Sequence, residues 1–524
     1  MNELSDPLPD DAEALRALVH SVRAERDAAV AERDRAVEQN EKLRHLLHQL
    51  QRARFGRSSE KLDPDQLQLA LEDIEQALAR AEAEAGKHGA ARKAVRPRAG
   101  SLARKSLPAH LPRLEVVVAP EDSACPCCRA AMHPIGEETS ERLDVIPAQF
   151  RVIVTRRPKY ACRACGGAIV QAPAPERLIR GGLPTEAMVA HVLVGKYAWH
   201  LPLYRQAQML ASQGIEIDRA SLAFWVGYAA AELAPLALRL REILLGSARL
   251  AADETPVPVL DPGRGRTKTG YFWAIARDDR PWGGADPPAV VYSYAPGRGA
   301  EQGLKPLAGY AGIVQCDGYG AYKQLGDPAR AGGPATLAFC WAHVRRHFYE
   351  IAKSGPAPIA SEALQRIAAL YAIEETIRGT SPAARQAARQ AESRPLIEAL
   401  KTWLEAQLAR LSAKSVLAAA IRYALNHWQG LVRFLEDGRI ELDTNAVERA
   451  MRPIALSRKN ALFAGHDEGA ANWACIASLI ETCKLNKVDP QAYLADTLTR
   501  LVNLWPAARL DELMPWNWVP TGKA

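Results

Sequence analysis

The chain has 524 residues, with 67 Lys and Arg against 60 Asp and Glu for a net charge of +7, and is 48% hydrophobic and 24% charged. At roughly 150 residues per domain this describes three or four globular domains with enough apolar content for large cores. No apolar run approaches the ~20 residues that span a bilayer, and Met1–Leu15 has neither a basic start nor an apolar stretch, so a membrane protein and a signal peptide are excluded and the cell interior is expected.

Residues 11–53 read as one long helix rich in Ala, Glu and Arg, without Gly or Pro. Leu15, Val22, Ala29, Ala36, Leu43 and Leu50 recur every seven residues, with Leu18 and Leu46 at the companion position, where Glu25, Glu32 and Gln39 interrupt the seam. Such a repeat predicts a coiled coil joining two copies; the alternative is a solvated helix packed on its own chain. Gly56 breaks the helix, and Ser58 or Ser59 is placed to cap a second one over 67–85. Around the break, Arg54, Arg57 and Lys61 suit phosphate contact or a solvated turn. Residues 1–85 are read as a coiled-coil and DNA-binding arm. Residues 86–113 hold eight Lys or Arg and no acid, a basic linker that solvates itself, reaches for phosphate, or does both.

Nine cysteines in a long intracellular chain argue against a disulfide framework. Cys125-Pro-Cys-Cys128 and Cys162-Arg-Ala-Cys165 instead form two Cys-x-x-Cys knuckles, and two knuckles complete a closed four-thiolate Zn2+ site. The β-rich stretch Phe150–Thr155 lies between them, so residues 114–180 read as a zinc ribbon with a strand pair inserted. Its 33 intervening residues (162 − 128 − 1) exceed ordinary ribbon spacing. A closed site lacks the open position catalysis needs, so its role is structural, with possible DNA contact.

Residues 181–247 are helical by spacing. Leu203–Gln213, a turn at Gly214–Ile217, and a helix capped by Asp218 or Ser221 and running over Ala220–Leu233 give a helix-turn-helix outline, common also in proteins that bind nothing. After Gly246 the texture turns to Val, Ile, Tyr and Trp: strands are predicted over Ala248–Leu260, Gly270–Ala276, Ala289–Tyr294 and Ile313–Cys316, with a helix near Gln302–Leu307. Two acids, Asp253 and Asp317, lie near strand ends where neighbouring strands bring carboxylates together. Glu448, early in a helix capped by Asp443 or Thr444 and followed by Arg449 and Arg452, is the candidate third. Composition alone does not choose these from 60 acidic residues.

The ordered series narrows the choice. Arg54–Lys61, the two knuckles, Ala252-Asp-Glu-Thr-Pro256, Asp317-Gly-Tyr319, Cys340-Trp-Ala-His-Val-Arg-Arg346, Asn445–Pro453, Ser457-Arg-Lys-Asn460, Glu481-Thr-Cys-Lys-Leu-Asn486 and Leu510–Trp518 occur in that order. From about residue 40 to Trp518 the chain resembles the large transposase of the insertion-sequence 66 family. The resemblance implies a multidomain α+β protein with an RNase H-like core over 248–465, a helical insertion at about 351–437, and a C-terminal helical region over 466–524. It also implies an Asp-Asp-Glu triad at Asp253, Asp317 and Glu448 holding Mg2+ (or Mn2+), terminal inverted repeats and target DNA as partners, and accessory proteins encoded beside it. Arg449 and Arg452 either steady scissile phosphates or balance local acids. Arg129 stands where the family usually has Gly, which bears on the local turn and not on the ligands. Cys340 and His343 resemble half a zinc site without a nearby partner pair, which favours core packing. The rival readings are a non-catalytic zinc-containing DNA-binding regulator or an inactive relic, and a metal-dependent nuclease without strand transfer.

Overall fold

A computed structural model describes residues 149–161, 169–179, 182–261 and 266–520, with scattered positions between 11 and 30. The coiled-coil seam beyond those positions, Arg54, Arg57, Lys61, the basic linker and all four knuckle cysteines lie outside the described residues. Two compact units divide the chain, residues 1–154 and 155–524. In the first, the described residues from Glu13 to Val30 are helical and exposed, Val19 and Val22 included.

Phe150–Thr155 forms no strand, and Val152, Ile153 and Val154 are exposed. β-Branched composition favours a strand only where a partner accepts the hydrogen bonds. Pairing falls instead to β1 (Lys159–Ala161) and β2 (Ile169–Gln171), antiparallel with Lys159 opposite Gln171.

Three helices follow: α1 (Glu186–Tyr197), α2 (Leu203–Ala211) and α3 (Arg219–Leu245). Thr185 caps α1 by accepting from Met188 N–H, and Asp218 caps α3 by accepting from Ser221 N–H at 2.6 Å. Gly214 turns the chain between α2 and α3 at φ +76°, a left-handed conformation that Gly adopts without steric cost. α3 runs twelve residues beyond the expected Leu233 (245 − 233), straight through Pro235. By length and composition alone it is apolar enough to cross a membrane, contrary to the sequence expectation. Its apolar face, from Leu222 through Leu233 and Leu236 to Leu244, is instead buried within the fold.

The central sheet contains β3 (Arg249–Asp261), β4 (Arg266–Arg277), β5 (Ala289–Ala295), β6 (Ile313–Cys316) and β7 (Thr336–Phe339), with the short α4 (Ala300–Gly303) between β5 and β6. The strand order is β5-β4-β3-β6-β7. β3, β4 and β5 form an antiparallel meander, while β6 and β7 run parallel to β3. β7 was not anticipated: Thr336-Leu-Ala-Phe339 is too short to show alternation. α5 (Trp341–Lys353) follows β7, and then come α6 (Pro358–Ile377), α7 (Pro382–Ala388), a π-helical turn over Arg389–Ser393, α8 (Arg394–Ala409), α9 (Val416–Asn426) and α10 (Trp428–Leu431). Ile367, Leu370, Leu400, Leu404, Ile421 and Phe434 share one apolar core with Ala338 of β7 and with Trp341, Val344 and Phe348 of α5.

α11 (Asn445–Ala461), α12 (Asp467–Leu485) and α13 (Pro490–Val502) complete the chain. α11 lies across β3: Arg458 donates to the Pro256 carbonyl, and Ala464 and Leu260 bridge just beyond. α12 covers the edge strand β5, where Ser478 Oγ accepts from Tyr292 N–H at 2.8 Å, and Thr482 Oγ1 accepts from Val290 N–H and donates to its carbonyl. Side chains thus satisfy an edge that would otherwise present unpaired backbone. The C-terminal Leu510–Trp518 stretch docks through Tyr493 donating to the Leu513 carbonyl and Trp518 donating to Asp496.

Candidate active site

Parallel register brings the two aspartates together. Ala251 pairs with Gln315 across β3 and β6. Asp253 and Asp317 each lie two residues further on, and a period of two puts both on the same face as that pair. They therefore stand side by side just past the point where β3 and β6 cease to pair, beyond the carboxyl end of β6, the side of a parallel pair where open sheets of this kind hold ligands. Asp253 is not at a strand end, as the sequence suggested: β3 continues to Asp261 because its hairpin with β4 outlasts its pairing with β6.

The Asp317 turn is fixed from several sides. Its Oδ1 accepts from Tyr319 N–H at 2.8 Å, and its carbonyl accepts from Tyr423 Oη at 2.7 Å. Gly318 sits at φ +88°, and a Cβ there would lie 2.8 Å from the His427 ring, so both conformation and space demand glycine. Tyr423 and His427, from α9 and the residue after it, belong to the helical stretch between Asp317 and Glu448, which thereby braces the turn.

Glu448 enters on the first turn of α11. Gln315, fully buried on β6, donates to the Glu441 and Asp443 carbonyls and accepts from Glu441 N–H. Trp341 N–H donates to the Leu442 carbonyl. These bonds lay the segment before α11 against the sheet. Thr444 is the N-cap residue but makes no side-chain cap; its hydroxyl donates to Glu448 Oε1 at 3.0 Å. Among the described residues one trio of potential metal donors has all its atoms within 4.8 Å of one another: Cys340, His343 and Glu448. The carboxylate that comes within reach of Cys340 and His343 is thus Glu448, 108 and 105 positions on (448 − 340 and 448 − 343), while Asp253, Asp317 and Glu448 form no such close trio.

Negative charge accumulates here. Burial, and after it the neighbouring Glu254, Glu448 and Asp317, pushes the Asp253 carboxyl up to about 7. Glu254 is the one carboxylate met by a cation: Arg298 donates to its Oε1 at 2.7 Å while stacking on Tyr319, and Tyr322 donates to its Oε2. Asp253, Asp317 and Glu448 are oxygen donors with surplus charge, a set that fits divalent Mg2+ or Mn2+. Arg449 and Arg452 lie exposed on α11, one turn apart and on the helix that carries Glu448. Arg219 is exposed at the start of α3. Sequence reading missed Gln315, Arg298, Tyr423 and His427, since nothing local marks a residue whose partner lies tens to over a hundred positions away.

Comparison with known proteins covers almost the whole length. Residues 181–472, more than half the chain, match the family described as "Transposase IS66 family". Residues 122–166, which include all four knuckle cysteines, match the "zinc-finger binding domain of transposase IS66". Residues 478–516 match the "IS66 C-terminal element" and residues 42–116 the "Transposase C of IS166 homeodomain". Among relatives, the uncharacterized protein y4qI of Sinorhizobium fredii is 44% identical over 98% of each chain. The uncharacterized protein y4jD of the same organism is 45% identical over 98% of this chain and 97% of its own. The chain, with a zinc-finger segment and a transposase domain, belongs to the IS66 family of transposases.

Proposed function

We propose that this transposase cuts DNA at the terminal inverted repeats of its element and joins the freed 3′-hydroxyl to target DNA, with Asp253, Asp317 and Glu448 as the catalytic carboxylates. The observation that carries this reading is the register of β3 and β6, which sets Asp253 beside Asp317, together with the Gln315 bonds that lay the segment before α11, and so Glu448, against the same sheet. The strand order and the helical insertion before α11 support an RNase H-like core over 248–465, with the insertion at about 351–437.

Mg2+ or Mn2+ bound by the three carboxylates would activate water, and later the 3′-hydroxyl, and stabilise the leaving oxygen. The protein's own part is positioning. Tyr423 and the Asp317 turn fix one carboxylate, Thr444 orients another, and Asp253 gives up its proton when a cation arrives. Arg449 and Arg452 steady scissile phosphates. In the N-terminal part, Cys125, Cys128, Cys162 and Cys165 hold structural Zn2+ within 114–180. Arg54, Arg57 and Lys61 contact the DNA backbone from the arm over 1–85, whose coiled coil pairs two copies. The basic 86–113 segment links them, residues 181–247 form the helical region before the core, and 466–524 the C-terminal helical region. Accessory proteins of the element assemble with this complex inside the bacterial cell.

The test is cleavage and joining of a labelled element end in Mg2+, with the intact protein compared with Asp317→Asn. Joined product from the intact protein, and a loss of about a thousandfold or more in the variant with DNA binding retained, is the expected result. Binding without cleavage by both, accessory proteins supplied, would leave a DNA-binding regulator. Cleavage without joining would leave a nuclease.

A further inference from the structure

We infer that Cys340, His343 and Glu448 form a second metal site, for a borderline-soft divalent ion of the zinc class, and that its occupancy withdraws Glu448 from the two aspartates. The site itself stands on geometry; the withdrawal rests on the role given to Glu448 above.

Cys340 is the N-cap residue of α5 and His343 lies in the first turn, so their three-residue spacing directs both side chains to one end of the helix. Glu448 comes to them from the first turn of α11. The three donor atoms already lie within 4.8 Å of one another. Zinc bonds of ~2.0–2.3 Å to N, O and S need only a modest inward rotation from there. Two further observations point to a ligand. His343 Nδ1 is buried without a hydrogen-bond partner, 3.9 Å from Glu448 Oε1, too far for a hydrogen bond. Cys340 Sγ, almost fully buried, accepts N–H bonds from the backbones of Thr444, at 3.4 Å, and His343. Burial pushes the Cys340 thiol up to about 11 and these donors offset only part of that rise, so their role is to orient the ligand, as outer bonds do at metal sites.

One sulfur, one imidazole nitrogen and one carboxylate oxygen suit zinc and not Mg2+, which takes oxygen. Three protein ligands leave the fourth position for water or substrate oxygen. On binding, the Cys340 thiol releases its proton to solvent and the imidazole binds neutral. A carboxylate committed there is not free to face Asp253 and Asp317.

The experiment uses the full chain, equilibrated with buffered Zn2+, with bound zinc counted by mass spectrometry. Intact protein is expected to hold one more ion per chain than Cys340→Ser or His343→Gln, circular dichroism confirming that each variant is folded. Glu448→Gln is expected to weaken the extra ion by about tenfold or more. Equal zinc in the intact protein and the folded variants overturns the site. Should one variant misfold, the cobalt difference spectrum against the other decides: an added ligand field for the intact protein supports the site, and none overturns it. Withdrawal is read without chemistry, as an Mn2+ affinity that falls about tenfold when the zinc site is filled; unchanged Mn2+ affinity overturns it. Because neither readout uses DNA cleavage, failure here is distinct from failure of the Asp317→Asn assay.

Discussion

In the helical insertion, Arg389 is fully buried and every one of its five donors is met. It pairs with Glu374 through Nε and Nη2 at 2.7 and 2.8 Å and donates to the Phe434, Asp437 and Ile440 carbonyls. Arg385 beside it reaches Glu374 and Glu441, although its Nε and Nη1 stay unpartnered. Where β3 and β6 cease to pair the same chain does the opposite: Asp253 is surrounded by Glu254, Glu448 and Asp317, while Arg298 pairs with Glu254. A fold able to neutralise buried charge in one place leaves it unneutralised in another. Unneutralised carboxylates beside one another suit a cation, as the proposed function requires, whereas the balanced charges of the helical layer serve its packing.

The largest expected effect breaks the balanced side. Arg389→Met strips Glu374 of its main partner and frees the carbonyls that lead into the Glu448 segment, so a destabilisation of about 3–5 kcal/mol is expected in denaturant unfolding. A loss below about 1 kcal/mol would mean that the insertion does not depend on this pair.

The unbalanced side responds to pH. Asp253 is raised to about 7, so the folded, metal-free protein keeps that proton while the unfolded chain loses it near pH 4. Stability of the metal-free fold therefore declines as pH climbs from about 4 to about 7 and is level above. Divalent affinity follows the reverse trend, rising by up to about tenfold per pH unit toward 7 and then flattening. Calorimetric Mn2+ titrations between pH 5.5 and 8 check this, and a flat profile would remove Asp253 from the ligand set.

Asp253→Asn sharpens the comparison from the same side. Removing one charge from the crowd is expected to raise the metal-free Tm at pH 8 by about 2–4 °C while abolishing the stabilisation that Mn2+ gives the intact protein. A lowered Tm would contradict the electrostatic account. The smallest effect belongs to the brace between the two regions: Tyr423→Phe deletes one hydroxyl bond to the Asp317 carbonyl, worth about 0.5–1.5 kcal/mol. Thermal unfolding should register it, and strand cleavage should slow by a few fold; no change in either would show that the insertion does not position the turn.

Local chemistry was the readable part. β3, β4, β5 and β6 announced themselves through β-branched and aromatic runs, and Asp218 through its capping position. The short β7 escaped because four residues carry no period, and Phe150–Thr155 misled because propensity is empty without a partner strand. The candidate carboxylates owed their selection to an ordered series of motifs, since no spacing rule separates Asp253, Asp317 and Glu448 from the other acids.

By itself, then, the sequence determined the family, the element types around the site and which residues were worth following. Tertiary structure alone decided the pairing of Ala251 with Gln315 that sets two aspartates abreast, and the reach of Tyr423 back to Asp317. It also decided the meeting of Glu448 with Cys340 and His343. Helical and strand periods report which face of one element is apolar, over a few residues. Register and long-range side-chain contacts depend on how separate elements pack, and two residues a hundred positions apart leave no mark on each other's local pattern.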